Sequence, residues 1–263
     1  MIGFRVLDEI DPAVIAFANT SGATNLRALS RYTMGIRNLG LWSQFSSWPM
    51  RPGLNAGALS TVYQLGGNGA GNMTLVNGPT WGAGGVGFNG TDQLGRVSDY
   101  LSDGTISVFV RLAEASATPT TDACIVGQYD TTLNERSWGL FHRGDLANDP
   151  YTLNRSSLGT SATLEEYRDG GGNSSVADRV LSSQWINGGG RSFWINKTLI
   201  ATTPVGISVT SRKNSVADIT LASRLGNNVP AAFTALTGSC LAIITGTITD
   251  AQREAITDLI NAL

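Results

Sequence analysis

The stretch Thr74–Leu112, TLVNGPTWGAGGVGFNGTDQLGRVSDYLSDGTISVFVRL, decides the fold. It reads as a short strand, a Gly-rich turn, a second strand ending in Phe88-Asn89-Gly90-Thr91-Asp92, and a connection into Thr105–Leu112. In that last segment Ile106, Val108, Val110 and Leu112 share one face, because side chains alternate with a period of two along a strand. Ser107 and Arg111 take the other face, with Phe109 between them. One apolar face beside one mixed face describes a sheet in a sandwich rather than a parallel sheet wrapped by helices.

The rest of the chain suits that reading. Its 263 residues are ample for one large β-sandwich with added elements. The 32 glycines exceed the usual share of about 7%, as many tight turns between short strands require. A net charge of −2 with scattered arginines leaves no basic stripe for nucleic acid. No apolar run approaches the length of about 20 residues that a membrane helix needs. The acids of MIGFRVLDEIDP stand where a signal peptide would have its apolar core, so a soluble chain made in a cytosol is expected.

Asp11-Pro12 starts a short helix that Gly22 stops. A second helix is predicted from about Thr24 to Leu39, with Leu26, Leu29, Thr33 and Ile36 on one face and Gly40 beyond its end. Leu41, Trp42, Phe45 and Trp48 follow as an aromatic segment, either covering the end of the sandwich or offering a sugar-stacking platform; the adjoining amphipathic helix favours the cover. Further strands are predicted at 123–128, 136–142, 162–168, 179–185, 219–225 and 239–245, and Arg191–Thr202 reads as a hairpin turning at Asn196-Lys197. Thr249 to Gln252 is a capping box that opens a C-terminal helix with an apolar stripe through Ile256 and Ile260.

No reactive constellation emerges. Gly82 to Gly87 matches GxGxxG but runs into a strand, so it lacks the helix that would meet a pyrophosphate. Glu165 and Glu166 are adjacent and point to opposite faces, which does not serve glycoside hydrolysis. His142 has no nucleophile elbow to partner, and one histidine cannot build a Cys/His zinc site. Cys124 and Cys240 lie in apolar runs, read as buried thiols with a disulfide as the alternative.

Several of these motifs carry a resemblance. The Gly78-Pro79-Thr80-Trp81-Gly82 segment, the Phe88 to Asp92 corner and the TISVFVRL strand resemble the opening of a laminin-G-like, concanavalin A-like jelly roll. Arg191–Thr202 resembles a hairpin of that superfamily, with Trp194-Ile195-Asn196-Lys197 in place of Tyr-Val-Asp-Gly. The front end, two helices followed by Gly40-Leu41-Trp42 and Pro49-Met50, is similar to the helical leader of tailed-bacteriophage structural proteins, with Gln44 replacing a Lys and Trp48 a Tyr.

The resemblance implies a mainly β antiparallel sandwich with two N-terminal helices and one C-terminal helix. Its parts would be a helical leader over 1–52, the jelly roll over 53–248 and the last helix over 249–263. It implies a non-enzymatic virion protein, as capsid decoration, head or tail appendage, tail fibre or adaptor, touching capsid, portal or tail proteins or further copies of itself. The alternative is a carbohydrate-binding module for a host-surface glycan, with Trp138, Trp185 and Trp194 as stacking rings, although core is the preferred reading of each because strand tryptophans bury large areas. Calcium is common in such domains, and Asn89, Asp92, Asp99 and Asp103 are its candidate ligands. Turns use the same residue types for their own hydrogen bonds, which is the preferred reading.

Overall fold

The computed structural model describes residues 9–57, 59–98, 104–115, 123–129, 136–142, 150–154, 165–168, 178–186, 191–202, 218–226, 229–231 and 233–263. Three α-helices form where the capping residues direct. In α1 (Pro12–Ser21) the Asp11 side chain accepts from the Ala13 amide, and Gly22 ends the helix at φ 72°. Helix α2 (Leu26–Asn38) is capped by Asn25, and Gly40 lies beyond it in the left-handed region. Helix α3 (Asp250–Asn261) opens on the complete Thr249–Gln252 capping box.

The strands are β1 (Phe45–Pro49), β2 (Thr61–Val62), β3 (Met73–Val76), β4 (Thr80–Gly82), β5 (Gly85–Asn89) and β6 (Leu94–Val97). Next come β7 (Ile106–Ala115), β8 (Ala123–Tyr129), β9 (Arg136–His142), β10 (Pro150–Asn154), β11 (Glu165–Arg168) and β12 (Arg179–Trp185). The last are β13 (Arg191–Ile195), β14 (Thr198–Thr202), β15 (Ile219–Leu221), β16 (Arg224–Gly226), β17 (Val229–Ala231) and β18 (Ala235–Thr245). Among the described residues they build two eight-stranded antiparallel sheets and a small β16–β17 pair. The first sheet runs β14-β13-β12-β7-β18-β5-β4, with β1 also on β18; the second runs β11-β10-β9-β8-β15-β6-β3-β2. The protein is an antiparallel β-sandwich.

Strands β7 and β18 pair along nearly their whole length at the centre of the first sheet. Beyond β18, β5 covers its first half and β1 its second, so two short strands share one edge. Between these halves Ser239 is an extra residue, since Gly238 opposes Leu112 while Cys240 opposes Arg111. The bulge reverses the alternation and lets Leu236 and Leu241, five residues apart, face the same core. Here Gly85 is obligatory: at φ 137° a Cβ would meet the Gly238 carbonyl oxygen at 2.0 Å.

Ile106, Val108, Val110 and Leu112 face the second sheet, packed with Leu181, Trp185, Leu241, Ile243 and Trp138. The opposite face of the first sheet is not solvated. Phe109, Val180, Cys240, Ala242 and Ile244 are buried there beneath residues of the three helices, including Val14, Leu29, Tyr32, Ile36, Ile256 and Ile260. The segment 1–52, read from sequence as a helical leader, supplies β1 to this sheet as well as α1 and α2. The 191–202 hairpin turns where expected, with Asn196 at φ 54°.

Both cysteines are buried thiols outside any disulfide, so the disulfide alternative is not the state of this fold. Burial pushes the Cys240 thiol up to about 12, with the Tyr32 hydroxyl 4.0 Å away. A thiolate is the reactive form, so the native protein is expected to give no thiol titre with a disulfide reagent at pH 8. Both thiols should titrate once denaturant is added; prompt reaction of the native chain would contradict the burial.

Candidate functional site

A groove opens where the helical layer meets the sandwich, between α1, the 3-10 turn Trp42–Gln44 and the segment 63–72. Its cavity of about 210 Å³ is lined by Phe17, Thr20, Trp42, Tyr63, Gln64 and Asn72, with Ala13, Leu65 and Gly66 completing the wall. Trp42 and Tyr63 are partly exposed, whereas Phe17 and Leu65 are buried and form an apolar base.

The walls are held by bonds between segments distant in sequence. Buried Asn55 donates through Nδ2 to the carbonyls of Pro49 and Tyr63 and accepts through Oδ1 from the Tyr63 amide, all within 3.1 Å. Tyr63 is thereby fixed by both its backbone groups. Ser47 and Leu65 exchange backbone hydrogen bonds of 2.8 Å in each direction. Gly66 and Gly67 then lie flat on the Trp42–Phe45 backbone: a Cβ on Gly66 would come within 2.1 Å of the Phe45 oxygen, and one on Gly67 within 2.6 Å of the Trp42 oxygen. The Gly67 and Asn68 amides donate to Trp42 and Phe45, and the Trp48 indole nitrogen donates to the Gly71 carbonyl at 3.0 Å. Asn72 Oδ1 closes the neck of the loop by accepting from the Gln64 amide at 3.0 Å.

Trp42 is oriented from behind. The Arg37 guanidinium carbon sits 4.2 Å from the ring centroid, and Arg37 Nε donates to Asp11 Oδ2 at 2.9 Å. Asp11 is itself held as the cap of α1, and its amide donates to Ser30 Oγ. Among the buried side-chain atoms of the groove residues, Gln64 Nε2 has no hydrogen-bond partner. A buried amide donor left unmade is costly, and this one lies among the residues of an open cavity.

The tryptophans expected as stacking rings lie elsewhere and are covered. Trp138 and Trp185 are 0% and 1% exposed and pack on each other in the inter-sheet core, ring centroids 5.5 Å apart. Trp194 is 6% exposed on the helical side, beneath the Arg253 guanidinium at 4.6 Å. Strand alternation assigns each to a buried face, so none presents a surface to a sugar. Of the aromatic segment, Leu41 and Phe45 are buried against the helices and Trp48 in the inter-sheet core. Phe45 and Trp48 lie on a strand of the first sheet rather than as a cover for the end of the sandwich, and Trp42 alone of the four lines the groove.

Among the calcium candidates, Asn89 Oδ1 already accepts from the amides of Thr91, Asp92 and Gln93, and Asn89 Nδ2 donates to Asp92 Oδ1 at 2.8 Å. That corner is a turn closed by its own side chains. Asp99 and Asp103 lie outside the described residues. Among the described residues no group of three or more His, Cys, Asp or Glu is placed to hold a metal ion. No helix among them is long and apolar enough to cross a membrane. A larger hollow of about 500 Å³ runs beside α2, but its wall includes Glu9, where the described residues begin.

No protein-family model and no curated protein matches this chain. Its backbone is similar to solved structures. The botulinum neurotoxin serotype D binding domain superposes with a TM-score of 0.60 at 9% identity, covering 83% of this chain and 52% of that one. The ligand-binding domain of the same serotype in complex with N-acetylneuraminic acid gives 0.57 at 8% identity over the same shares. A Ruminococcus gnavus sialidase module, CBM40, bound to α2,3-sialyllactose gives 0.44 at 13% identity, covering 60% of this chain and 83% of that one. The chain spans about half the length of the neurotoxin domains it resembles. The likeness to the neurotoxin domains shows the β-sandwich fold that the laminin-G-like motifs implied, and the fold alone.

Replacing Asn55 by Ala leaves the Pro49 and Tyr63 carbonyls and the Tyr63 amide without their partner. The expected cost is about 2–3 kcal/mol, read as a lower denaturant midpoint with an unchanged slope. A loss within experimental error would show that Asn55 does not hold the groove.

Proposed function

We propose that the protein is a non-enzymatic carbohydrate-binding β-sandwich whose glycan site is the Trp42 groove. The observation that carries this reading is the pairing of partly exposed Trp42 and Tyr63 with an unpartnered buried amide donor, Gln64 Nε2, in one pre-formed cavity. A pyranose ring offers an apolar C–H face and a rim of hydroxyl groups. Aromatic rings and side-chain amides are the complementary surface. Because the loop is already pinned by Asn55, Ser47 and Trp48, little ordering entropy opposes binding.

The lining also argues against catalysis. It holds no carboxylate, histidine, lysine or cysteine, so its two hydroxyls, Thr20 and Tyr63, have no base among the lining residues to activate them. The likeness to a neurotoxin domain solved with N-acetylneuraminic acid supports a binding role for this kind of sandwich without locating the site.

A single-sugar site of this size is expected to bind with a Kd on the order of 1 mM. Trp42→Ala should weaken binding at least about tenfold, roughly 1.4 kcal/mol, with unaltered circular dichroism. Calorimetric titration against a glycan panel tests this. A folded chain that binds no glycan, or a Trp42→Ala variant that binds as well as the parent, would end the reading.

The motif order of the front end favours a second reading, in which the sandwich is a structural part of a tailed-phage virion and meets capsid, portal or tail proteins. The two are compatible if the particle uses the groove for host attachment. Mass spectrometry of purified particles should then find the chain in fixed stoichiometry; particles lacking it would remove the second reading and leave the first.

A further inference from the structure

The charge of the groove restricts its ligand, an inference that rests on the carbohydrate-binding reading just given. Every side chain lining the cavity is uncharged. The guanidinium nearest Trp42, that of Arg37, stands against the ring with its charge engaged by Asp11 at 2.9 Å. Asp11 is only 8% exposed and is committed at the same time to the Ala13 amide as the cap of α1. Cation and anion therefore neutralise each other behind the tryptophan. An acidic sugar entering the groove would give up water around its carboxylate and gain no charged partner, which is unfavourable.

The polar groups also set the direction of hydrogen bonding. Gln64 Nε2 is a buried donor without an acceptor. Asn72 has its Oδ1 engaged by the Gln64 amide, so its NH₂ is the end it presents to a ligand. Both ask the ligand for acceptor oxygens, while the Thr20 hydroxyl, which donates to the Ala16 carbonyl, offers an acceptor in return. The volume of about 210 Å³ falls below the range of about 300–1,000 Å³ typical of drug-sized sites and accommodates one ring, not an oligosaccharide.

We infer that the groove selects a single uncharged pyranose unit presenting acceptor oxygens to Gln64 and Asn72, and rejects sialic and uronic acids. This separates the protein in ligand class from the sialic-acid complexes its fold resembles.

The test measures binding of the intact chain to sugar pairs that differ at C6, where a carboxylate replaces a hydroxymethyl group, glucose with glucuronic acid and galactose with galacturonic acid, and adds N-acetylneuraminic acid. At least one neutral sugar should bind at least about tenfold more tightly than its acid. That affinity should change less than about twofold between low and high salt, since no ion pair is formed. Gln64→Leu, close in shape but without the donor, should weaken neutral-sugar binding at least about fivefold with a melting temperature no lower than the parent's. Tighter binding of the acids, equal binding within each pair, or an indifferent Gln64→Leu variant would overturn the inference while glycan binding itself stood. Failure of every sugar, neutral and acidic, to bind the folded chain would instead overturn the reading beneath it.

Discussion

Burial of the central sheet on both faces is the constraint from which the rest follows. One face of β7 and β18 packs on the second sheet and the other on three helices. A strand covered on both sides cannot send a charge into water, yet β7 carries Arg111 on its helical side. Arg111 is 8% exposed; its Nη1 donates to the carbonyls of Ile260 and Asn261 at 3.2 Å, and its Nη2 to Asp178 at 2.8 Å. Those carbonyls belong to the last turn of α3, at the negative end of its dipole. The helix thus supplies the counter-charge that its own position makes necessary, and Asp178, held below the usual carboxylate range chiefly by the Arg111 hydrogen bond, supplies the remainder. Arg253 pins the other end of α3: it is 4% exposed, stacks on Trp194 and pairs with Asp250 and Glu254.

The same constraint separates what the chain discloses locally from what it does not. The alternation of Ile106 to Leu112, the Asp11 and Thr249 caps and the turn at Asn196 are short-range signals, and each is found where it was expected. The polar side of β7 was legible as mixed but not as buried, because Ser107 and Arg111 are hidden by helices far away in sequence. Strand β1, FSSWP, conceals a wholly buried element behind Ser46 and Ser47 and a terminal proline. In β18 the bulge at Ser239 breaks the period, so the sequence reading began that strand at Ser239 although it starts at Ala235. The short β10, PYTLN, opens on a proline and carries no alternation long enough to register.

The groove was harder to read for a related reason. Trp42 stood out as an aromatic, but nothing local distinguishes it from Phe45 and Trp48, which the fold buries. Tyr63, Gln64 and Asn72 reach it through the Asn55 and Ser47 bonds, contacts between segments that sequence period does not connect. The one local trace is Gly66-Gly67, whose missing Cβ atoms allow the loop to lie on the Trp42 backbone. Trp138, Trp185 and Trp194 attracted attention as large rings on strands, and the same strands direct them inward.

Both features meet at the junction of helices and sandwich. Asp11 caps α1, binds Ser30 of α2 through its own amide and holds Arg37 against Trp42, so one residue ties helix packing to the wall of the groove. Charges at this junction are therefore already consumed by the fold, as they are at Arg111 and Arg253. What is left in the groove is uncharged: partly exposed Trp42 and Tyr63 and the side-chain amides of Gln64 and Asn72. A surface made of such groups recognises shape and hydroxyl pattern rather than charge. That the lining of the groove is uncharged follows from how the arginines and acids beside it are used to hold the layers together.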